Sequence, residues 1–407
     1  MRPVVTVGVT PAIQVGIQTD DLTGACDTGA PFAARGLETI VLLPEASVPE
    51  PPPAVLVIDT ESRGAERGEA RARARAAVAR LAASGSPALL YKKIDSTLRG
   101  PLAAEVAGAL EGAGLSAVLL TPAFPAERRV VVDGQLRIDG LPAGETPLGR
   151  DPAFPATGAS VAALPGVDGP HPVGVVPLVT VRRGPEAVAA RLDRGLATYV
   201  ADAETDEDLA VLRQAAAGRR LLLAGSAGLA GVLAGSLGRP APRPAPRLRR
   251  PLLVVAGSAH PVTRLQVERL AARGVPRVET RGAAAIPDAA TGASILAAPP
   301  DDPAAPPRPR EAVAAELAVA ARRVVEASRT RAAGDWAAPT LVLTGGETAV
   351  AVCRALGATA IALRGELEPG LPHGRLLDGP FAGLAVVTKA GGFGDPDALV
   401  RLWEFAS

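Results

Sequence analysis

Residues 17–29 read IQTDDLTGACDTG. Two adjacent carboxylates, Asp20 and Asp21, close a short apolar run. Small residues follow (Thr23, Gly24, Ala25), and a third carboxylate, Asp27, stands ahead of Gly29. A strand that ends in acids and turns through glycine into a helix places those acids at the carboxyl edge of a sheet. In open α/β folds that edge is where ligands sit. One aspartate would suffice to cap the helix. Two side by side repel, and call for a cation, a ligand or a hydrogen-bond network.

Two further runs belong with the first. Residues 59–63 read DTESR and residues 92–100 read KKIDSTLRG, each after a β-prone apolar stretch. Parallel strands would bring Asp20, Asp21, Arg63, Lys92, Lys93 and Asp95 to one edge. Acids there accept hydrogen bonds from hydroxyls. Lys93 and Arg63 pair with a carboxylate or phosphate, the arginine in bidentate fashion. The implied ligand is small, polyhydroxylated and anionic. The competing reading of Lys93 and Asp95 is a structural ion pair.

The C-terminal part offers different chemistry. Gly257-Ser258, Gly345-Gly346 and Gly391-Gly392 each stand between an apolar strand and a helix start, with Thr348 and Lys389 beside them. Backbone N–H groups at such turns have no partner in the helix and favour anions. Converging, they would hold a polyphosphate. None fits G-x-x-x-x-G-K-[ST] or G-x-G-x-x-G, and for any one pair tight packing is the simpler account. His171 and His373 are isolated in loops, His260 stands beside Ser258 within reach of a phosphate but reads first as a core or capping residue, and the two cysteines, Cys26 and Cys353, form no zinc pattern.

A hydroxy-acid site in one lobe and a phosphate site in the other add up to phosphoryl transfer. That reaction needs positioning and charge neutralisation more than covalent chemistry. An aspartate would take the proton of the attacking hydroxyl, and a cleft between lobes would close over it. A non-catalytic sugar-acid sensor of the same fold is the alternative, although a sensor has no use for a nucleotide site. A dehydrogenase would want a dinucleotide fingerprint, which is absent.

These residues need elements to hold them. Strand, turn and helix alternate through residues 1–237, and again after residue 251, which predicts α/β architecture. Helices are expected at 30–36, 66–84, 101–112, 185–194 and 226–237. A β-hairpin at 130–138 reads as an excursion or flap, and 159–178 gives little periodic signal. Residues 238–251, GRPAPRPAPRLRRP, form the clearest linker. The expected organisation is therefore two domains, each a mostly parallel sheet flanked by helices, with the active-site cleft between them. Residues 1–237 would bind the sugar acid and 252–407 the nucleotide. The proline-rich stretch 299–309 reads as a surface insertion.

Bulk composition narrows the partners. The 407 residues carry a net charge of +1 and 2% aromatics, which gives no footing for nucleic acid or an anionic membrane. No apolar run reaches the roughly 18 residues that span a bilayer, no secretory signal is apparent, and the cytoplasm is the expected location. Of 43 basic residues only Lys92, Lys93 and Lys389 are lysine, and asparagine is absent. Under such a bias, lysine persists where a compact ammonium cannot be replaced by a planar fork.

With these residues in place the chain resembles the four-carbon acid sugar kinases. The matching segments are DDLTGACDTG (20–29), DTESR (59–63), KKIDSTLRG (92–100), PAFPAERRVVVDGQL (122–136), RDP (150–152), DAETDEDL (202–209) and GSAGLA (225–230). VVAGSAHPVTRLQ (254–266), TGGET (344–348), ELEPGLPHGRL (366–376) and TKAGGFGD (388–395) complete the series. The resemblance implies ATP-dependent phosphorylation of the terminal 4-hydroxyl of threonate, erythronate or a 3-oxo-tetronate; Mg²⁺ is expected because ATP chemistry needs it, with its ligands unspecified. The resemblance implies that Asp20, Asp21, Arg63, Lys93, Asp95 and Ser96 face the sugar acid. It implies that Ser258, Gly345, Gly346, Glu347, Thr348 and Gly391 face ATP. Asp21 is the favoured base, with Asp20 and Asp95 as rivals. The sequence leaves a homodimer open and does not fix the oligomeric state. Two departures stand out: Cys26 occupies a position where relatives often carry Asn, and Gln18-Thr19 precede the acids.

Overall fold

A computed structural model describes residues 13–146, 159–164, 173–237, 248–280, 292–299, 308–330 and 338–406. The RDP motif at 150–152, His171, residues 238–247 of the linker and residues 300–307 of the proline-rich stretch lie outside these, as does the start of the expected opening strand.

Val15–Thr19 is an interior strand of the N-terminal lobe. It pairs in parallel with Val55–Asp59, Thr19 opposite Asp59, and on its other side with Leu89–Lys93. Beyond Leu89–Lys93 come Leu222–Gly225, Val118–Thr121, Thr198–Ala201 and Val173–Val176, all parallel. Runs such as VGIQT and VLVID are buried along their whole length. Strands covered by helices on both faces require that. The C-terminal lobe has the same design in Arg277–Glu279, Ala293–Ala297, Leu252–Ala256, Thr340–Thr344 and Ala385–Lys389.

The two sheets are continuous. Thr39–Leu42, at the edge of the first, takes Ala360–Glu366 antiparallel, with Val41 opposite Ile361. Pro372–Leu376 follows antiparallel, and Ala385–Lys389 pairs antiparallel with that. The α/β expectation holds, with the addition that one sheet, of fifteen strands among the described residues, runs through both lobes. The sequence reading assigned no element to 360–366 or 372–376. Both strands carry a glycine, and at Gly374 a Cβ would meet the Ala362 carbonyl oxygen at 2.4 Å. Glycine here permits close backbone approach, a feature that reads as a loop from sequence.

Other local expectations are corrected. The helix after the acids is Leu22–Ala34, starting directly behind Asp21. Thr23, Gly24 and Ala25, expected in a turn, form its first turn. Thr23 and Gly24 have weak propensity, and the Asp21 cap on the Gly24 amide holds them in the helix; farther along, a Cβ at Gly29 would lie 2.7 Å from Leu363 Cδ1 of the sheet beneath. Lys92 and Lys93 fall inside a strand rather than after it. The stretch without periodicity contains Val173–Val176 and ends where the short helix Leu178–Val181 begins. The hairpin is present as Arg129–Val132 and Gln135–Ile138, joined by Leu141–Pro142 into a separate small sheet. It is anchored at its turn: the Asp202 carboxylate accepts from the amides of Asp133 (2.9 Å), Gly134 (2.9 Å) and Leu178 (3.1 Å).

One buried ion pair fixes the floor of the acidic edge. Lys92 is wholly buried, and its Nζ lies 2.9 Å from Glu105 Oε2 on helix Leu102–Ala113. Ser62 donates to the other Glu105 oxygen. Lys92 therefore supports the site from below. Removing one member of such a pair strands a buried charge, at a cost of about 3–5 kcal/mol. Chemical denaturation of Lys92→Met is expected to show that loss, and Lys92→Met/Glu105→Leu to recover most of it. Equal stability of the single and double variants would mean that the pair does not act as a unit.

Candidate active site between two helix starts

Asp21 is the N-cap of helix Leu22–Ala34. Its Oδ1 accepts from the Gly24 amide at 3.1 Å and its Oδ2 from Thr23 Oγ1 at 2.6 Å. It is more than a cap. Arg63, delivered by the loop after Val55–Asp59, places Nη2 2.7 Å from Asp21 Oδ1 and Nε 2.7 Å from Asp20 Oδ2. The same Nη2 lies 3.7 Å from Asp95 Oδ1. One guanidinium thus reconciles the two adjacent carboxylates. Burial pushes the Asp20 carboxyl up, but Arg63, Lys92 and Lys93 outweigh it and hold it below its ordinary value.

Asp95 is committed internally. It accepts from Thr97 Oγ1, from the Arg99 amide, and from the Arg99 guanidinium at 2.9 and 3.0 Å. Burial raises its carboxyl, yet Arg99 and Arg63 prevail and keep it well below the usual carboxylate range. No ion pair joins Lys93 to Asp95 among the described residues; the partners of Asp95 are arginines. Lys93 is 5% exposed, and a Cβ at Gly24 would come within 3.0 Å of its Nζ. Lys93 therefore sits over the first turn behind Asp21. Ser96 Oγ accepts from Arg129 Nη1.

The glycine turns of the other lobe converge. Gly345, at φ +91°, opens helix Gly346–Ala355, and no side chain caps that helix. A Cβ at Gly345 would stand 3.4 Å from Ser258 Cβ, and one at Gly391 would stand 2.1 Å from Ser258 Oγ. A Cβ at Gly257 would fall 2.0 Å from Thr348 Oγ1. Three turns from separate strands are thus in mutual contact, which requires the small residues. Glu347 is exposed, whereas Thr348 is buried. Lys389 is 1% exposed, and its Nζ is turned onto carbonyls of its own turn: Ala390 at 2.8 Å, Gly391 at 3.4 Å and Phe393 at 2.9 Å. It shapes the turn. Burial pushes its ammonium down to about 7, against the pull of Glu127.

The two sets meet at one point. A Cβ on Gly346 would lie 2.8 Å from Asp21 Oδ2. The capping carboxylate of one lobe rests against the uncapped helix start of the other. The lobes also touch through Phe124 and Phe393, ring centroids 6.3 Å apart, and through Arg354, which pairs with Glu45 and Glu61.

Farther along helix Leu22–Ala34 a cavity of about 390 Å³ separates the lobes, lined among others by Asp27, Arg35, Phe124, Gly228, Glu366 and Gly370. None of the residues predicted to hold acid or nucleotide lines it. Burial pushes the Asp27 carboxyl up to about 7, with Lys93 opposing and Glu127 and Asp21 adding. Burial, then Asp27, pushes Glu366 to about 8. Sequence reading gave no role to Asp27, Glu105, Glu127, Arg129 or Phe393. Asp27, Glu127, Arg129 and Phe393 lie within the quoted motifs at 20–29, 122–136 and 388–395, whereas Glu105 lies in none of them.

A family model described as a sugar-binding N-terminal domain matches residues 15–233, and one described as a nucleotide-binding C-terminal domain matches 253–399. The chain belongs to the four-carbon acid sugar kinase family. It is 31% identical to D-threonate kinase of Salmonella typhimurium (93% of this chain, 95% of that one). It is 35% identical to D-threonate kinase of Bordetella bronchiseptica (95% and 96%). It is 32% identical to 3-oxo-tetronate kinase of Methylobacterium radiotolerans (96% and 98%). A solved Haemophilus influenzae structure shares the fold, with a TM-score of 0.72 at 21% identity over 96% of this chain and 98% of that one. No helix among the described residues is long and apolar enough to cross a membrane.

The raised Asp27 carboxyl makes stability depend on pH. The native state holds that proton more tightly than the unfolded chain, so its contribution is greatest at low pH and is lost as pH rises through about 7. In thermal melts from pH 5 to 8.5, the advantage of Asp27→Asn over wild type is expected to grow with pH and then level off. Parallel melting curves would remove Asp27 from this role.

Proposed function

We propose that this chain is an ATP-dependent kinase that phosphorylates the terminal hydroxyl of a four-carbon sugar acid. The observation that carries the reading is the contact of Asp21 with Gly346. Phosphoryl transfer needs a proton acceptor for the attacking hydroxyl next to a site for the phosphate chain, and these two residues bring such groups together. Relatives named as D-threonate, D-erythronate and 3-oxo-tetronate kinases, about 30–35% identical over nearly the whole chain, point to the same class of acceptor. Nothing observed favours a non-catalytic sensor.

In this reading Lys93, Ser96 and Arg63 orient the acid, with Asp20 and Asp95 holding Arg63 in place. Residues 345–348, Ser258 and Gly391 receive the triphosphate. The hydroxyl oxygen forms a bond to the γ-phosphorus, its proton passes to Asp21, and the bond to the β–γ bridging oxygen breaks to release ADP. The amides at the start of helix Gly346–Ala355 face the accumulating negative charge. No three metal-ligating side chains gather among the described residues. An Mg²⁺ ion carried on the phosphates needs only one or two protein carboxylates. The buried Asp20 Oδ1, which has no hydrogen-bond partner among the described residues, fits that need. Such an ion would neutralise phosphate charge.

Two experiments test the assignment. Purified protein offered threonates, erythronates and 3-oxo-tetronates with ATP should release ADP with at least one, and the product should carry phosphate on the terminal oxygen. Silence across the panel would overturn the kinase reading. Asp21→Asn should lower kcat by about 10²–10⁴-fold, the usual worth of a positioned base. Asparagine caps a helix as well as aspartate does, so the variant should melt close to wild type. Near-normal turnover would pass the base role to Asp20 or Asp95.

A further inference from the structure

The cations at the acidic edge divide into two groups. Arg63 is paired with Asp20 and Asp21, Arg99 with Asp95, and Lys92 with Glu105. Lys93 and Arg129 have no carboxylate within ion-pair distance among the described residues. Arg129 is the more constrained of the two. Its backbone is fastened to the preceding turn, exchanging hydrogen bonds with Phe124 at 2.8 and 3.2 Å. Its Nη1 donates to Ser96 Oγ. Its guanidinium carbon stands 4.7 Å above the centre of the Phe393 ring. Its Nε is buried and donates to nothing among the described residues.

Burying a guanidinium with an unused donor is costly unless something else satisfies it. The surroundings agree. Burial lowers the Arg129 guanidinium from its ordinary value, and Asp95 and Glu127 offset this only partly from a distance. The position narrows the missing partner. Ser96 belongs to the wall assigned to the acid, and Phe393 to the glycine turn assigned to the nucleotide. Arg129 bridges the two. An oxyanion lodged between them is the group that passes from one to the other, and a planar fork suits it.

We propose that Arg129 is the cation that contacts the phosphoryl group during transfer. The inference rests on the kinase reading above and adds to it a residue from the small hairpin sheet. Arg129 keeps its protons throughout. It donates hydrogen bonds to the equatorial oxygens while the bond to ADP breaks and the bond to the acceptor oxygen forms.

The test uses full-length protein, ATP and whichever tetronate gives wild type its fastest ADP release. Arg129→Met is expected to lower kcat by about 10²–10³-fold, as loss of a donor to a developing oxyanion does. KM for the acid and for ATP should stay within about threefold. Arg129→Lys should regain part of the loss, since charge without the fork is retained. Added guanidinium chloride at low millimolar concentration should speed Arg129→Ala and leave wild type unchanged, which a packing role would not produce. Should Arg129→Met melt below the assay temperature, Arg129→Gln takes its place under the same criteria. A folded variant with kcat within about threefold of wild type overturns the proposal. So does a raised KM for the acid at unchanged kcat, which would make Arg129 a holder of the substrate carboxylate. Wild type inactive with every tetronate would overturn the kinase reading itself, and this inference with it.

Discussion

Asp21 answers to two demands at once. It must cap helix Leu22–Ala34, and it must leave an oxygen facing Gly346 across the lobe boundary. Two carboxylates in sequence would ordinarily repel one another out of such a position. Arg63 prevents that by taking one oxygen from each. Its own placement depends on Gly100, whose φ of +92° lets the chain turn against the Arg63 backbone, where a Cβ would come within 3.3 Å of the Arg63 carbonyl oxygen. From Gly100 to Arg63 to Asp21, each link is a close contact with little slack. A candidate reacting group held that tightly needs no large motion to be oriented.

The sheet explains how the two lobes reach one another. Three antiparallel pairings in succession reverse strand direction between Thr39–Leu42 and Ala385–Lys389. In a flat sheet the carboxyl edges of the halves would then point opposite ways. Six strand-to-strand steps separate Val15–Thr19 from Thr340–Thr344. At about 20–25° per step, the accumulated twist approaches the reversal. The twist, roughly 120–150° in all, turns the halves much of the way back toward one another, and helix Leu22–Ala34 packs on the connecting strands between them. Gly29 against Leu363, and Gly365 against Ala34, show how closely that helix is laid on the connecting strands.

The parallel strands were legible in sequence because buried strands are continuous apolar runs with polar ends. Thr198–Ala201 and Leu252–Ala256 lie where such runs are read. The connecting strands were not legible, since Gly365, Pro372 and Gly374 are loop residues by any local measure and pair only because a partner backbone is close. The first turn of the helix after Asp21 was not legible either: Thr23 and Gly24 take a helical conformation there because both donate to the Asp21 carboxylate. At the site, residue type and order brought Asp20, Asp21, Arg63 and the glycine turns to notice. What they could not reveal is which charges are spent on one another. Asp95 looked available and is occupied by arginines, Lys389 looked aimed at phosphate and holds its own turn, and Arg129 looked like the edge of a flap.

The lysines carry the point further. In a chain that writes nearly all its basic residues as arginine, the three exceptions are 0%, 5% and 1% exposed. Each ends in a space that a compact group fits. Lys92 Nζ sits between Glu105 and the Lys93 carbonyl, Lys389 Nζ is ringed by three carbonyls, and Lys93 Nζ lies close over Gly24. A guanidinium would present a flat fork where converging acceptors ask for a small ammonium. Arginine is kept where a fork is wanted: across Asp20 and Asp21, around Asp95, and over the Phe393 ring. The choice between the two cations, read residue by residue, thus separates the charges that build this edge from those with geometry left over for a ligand.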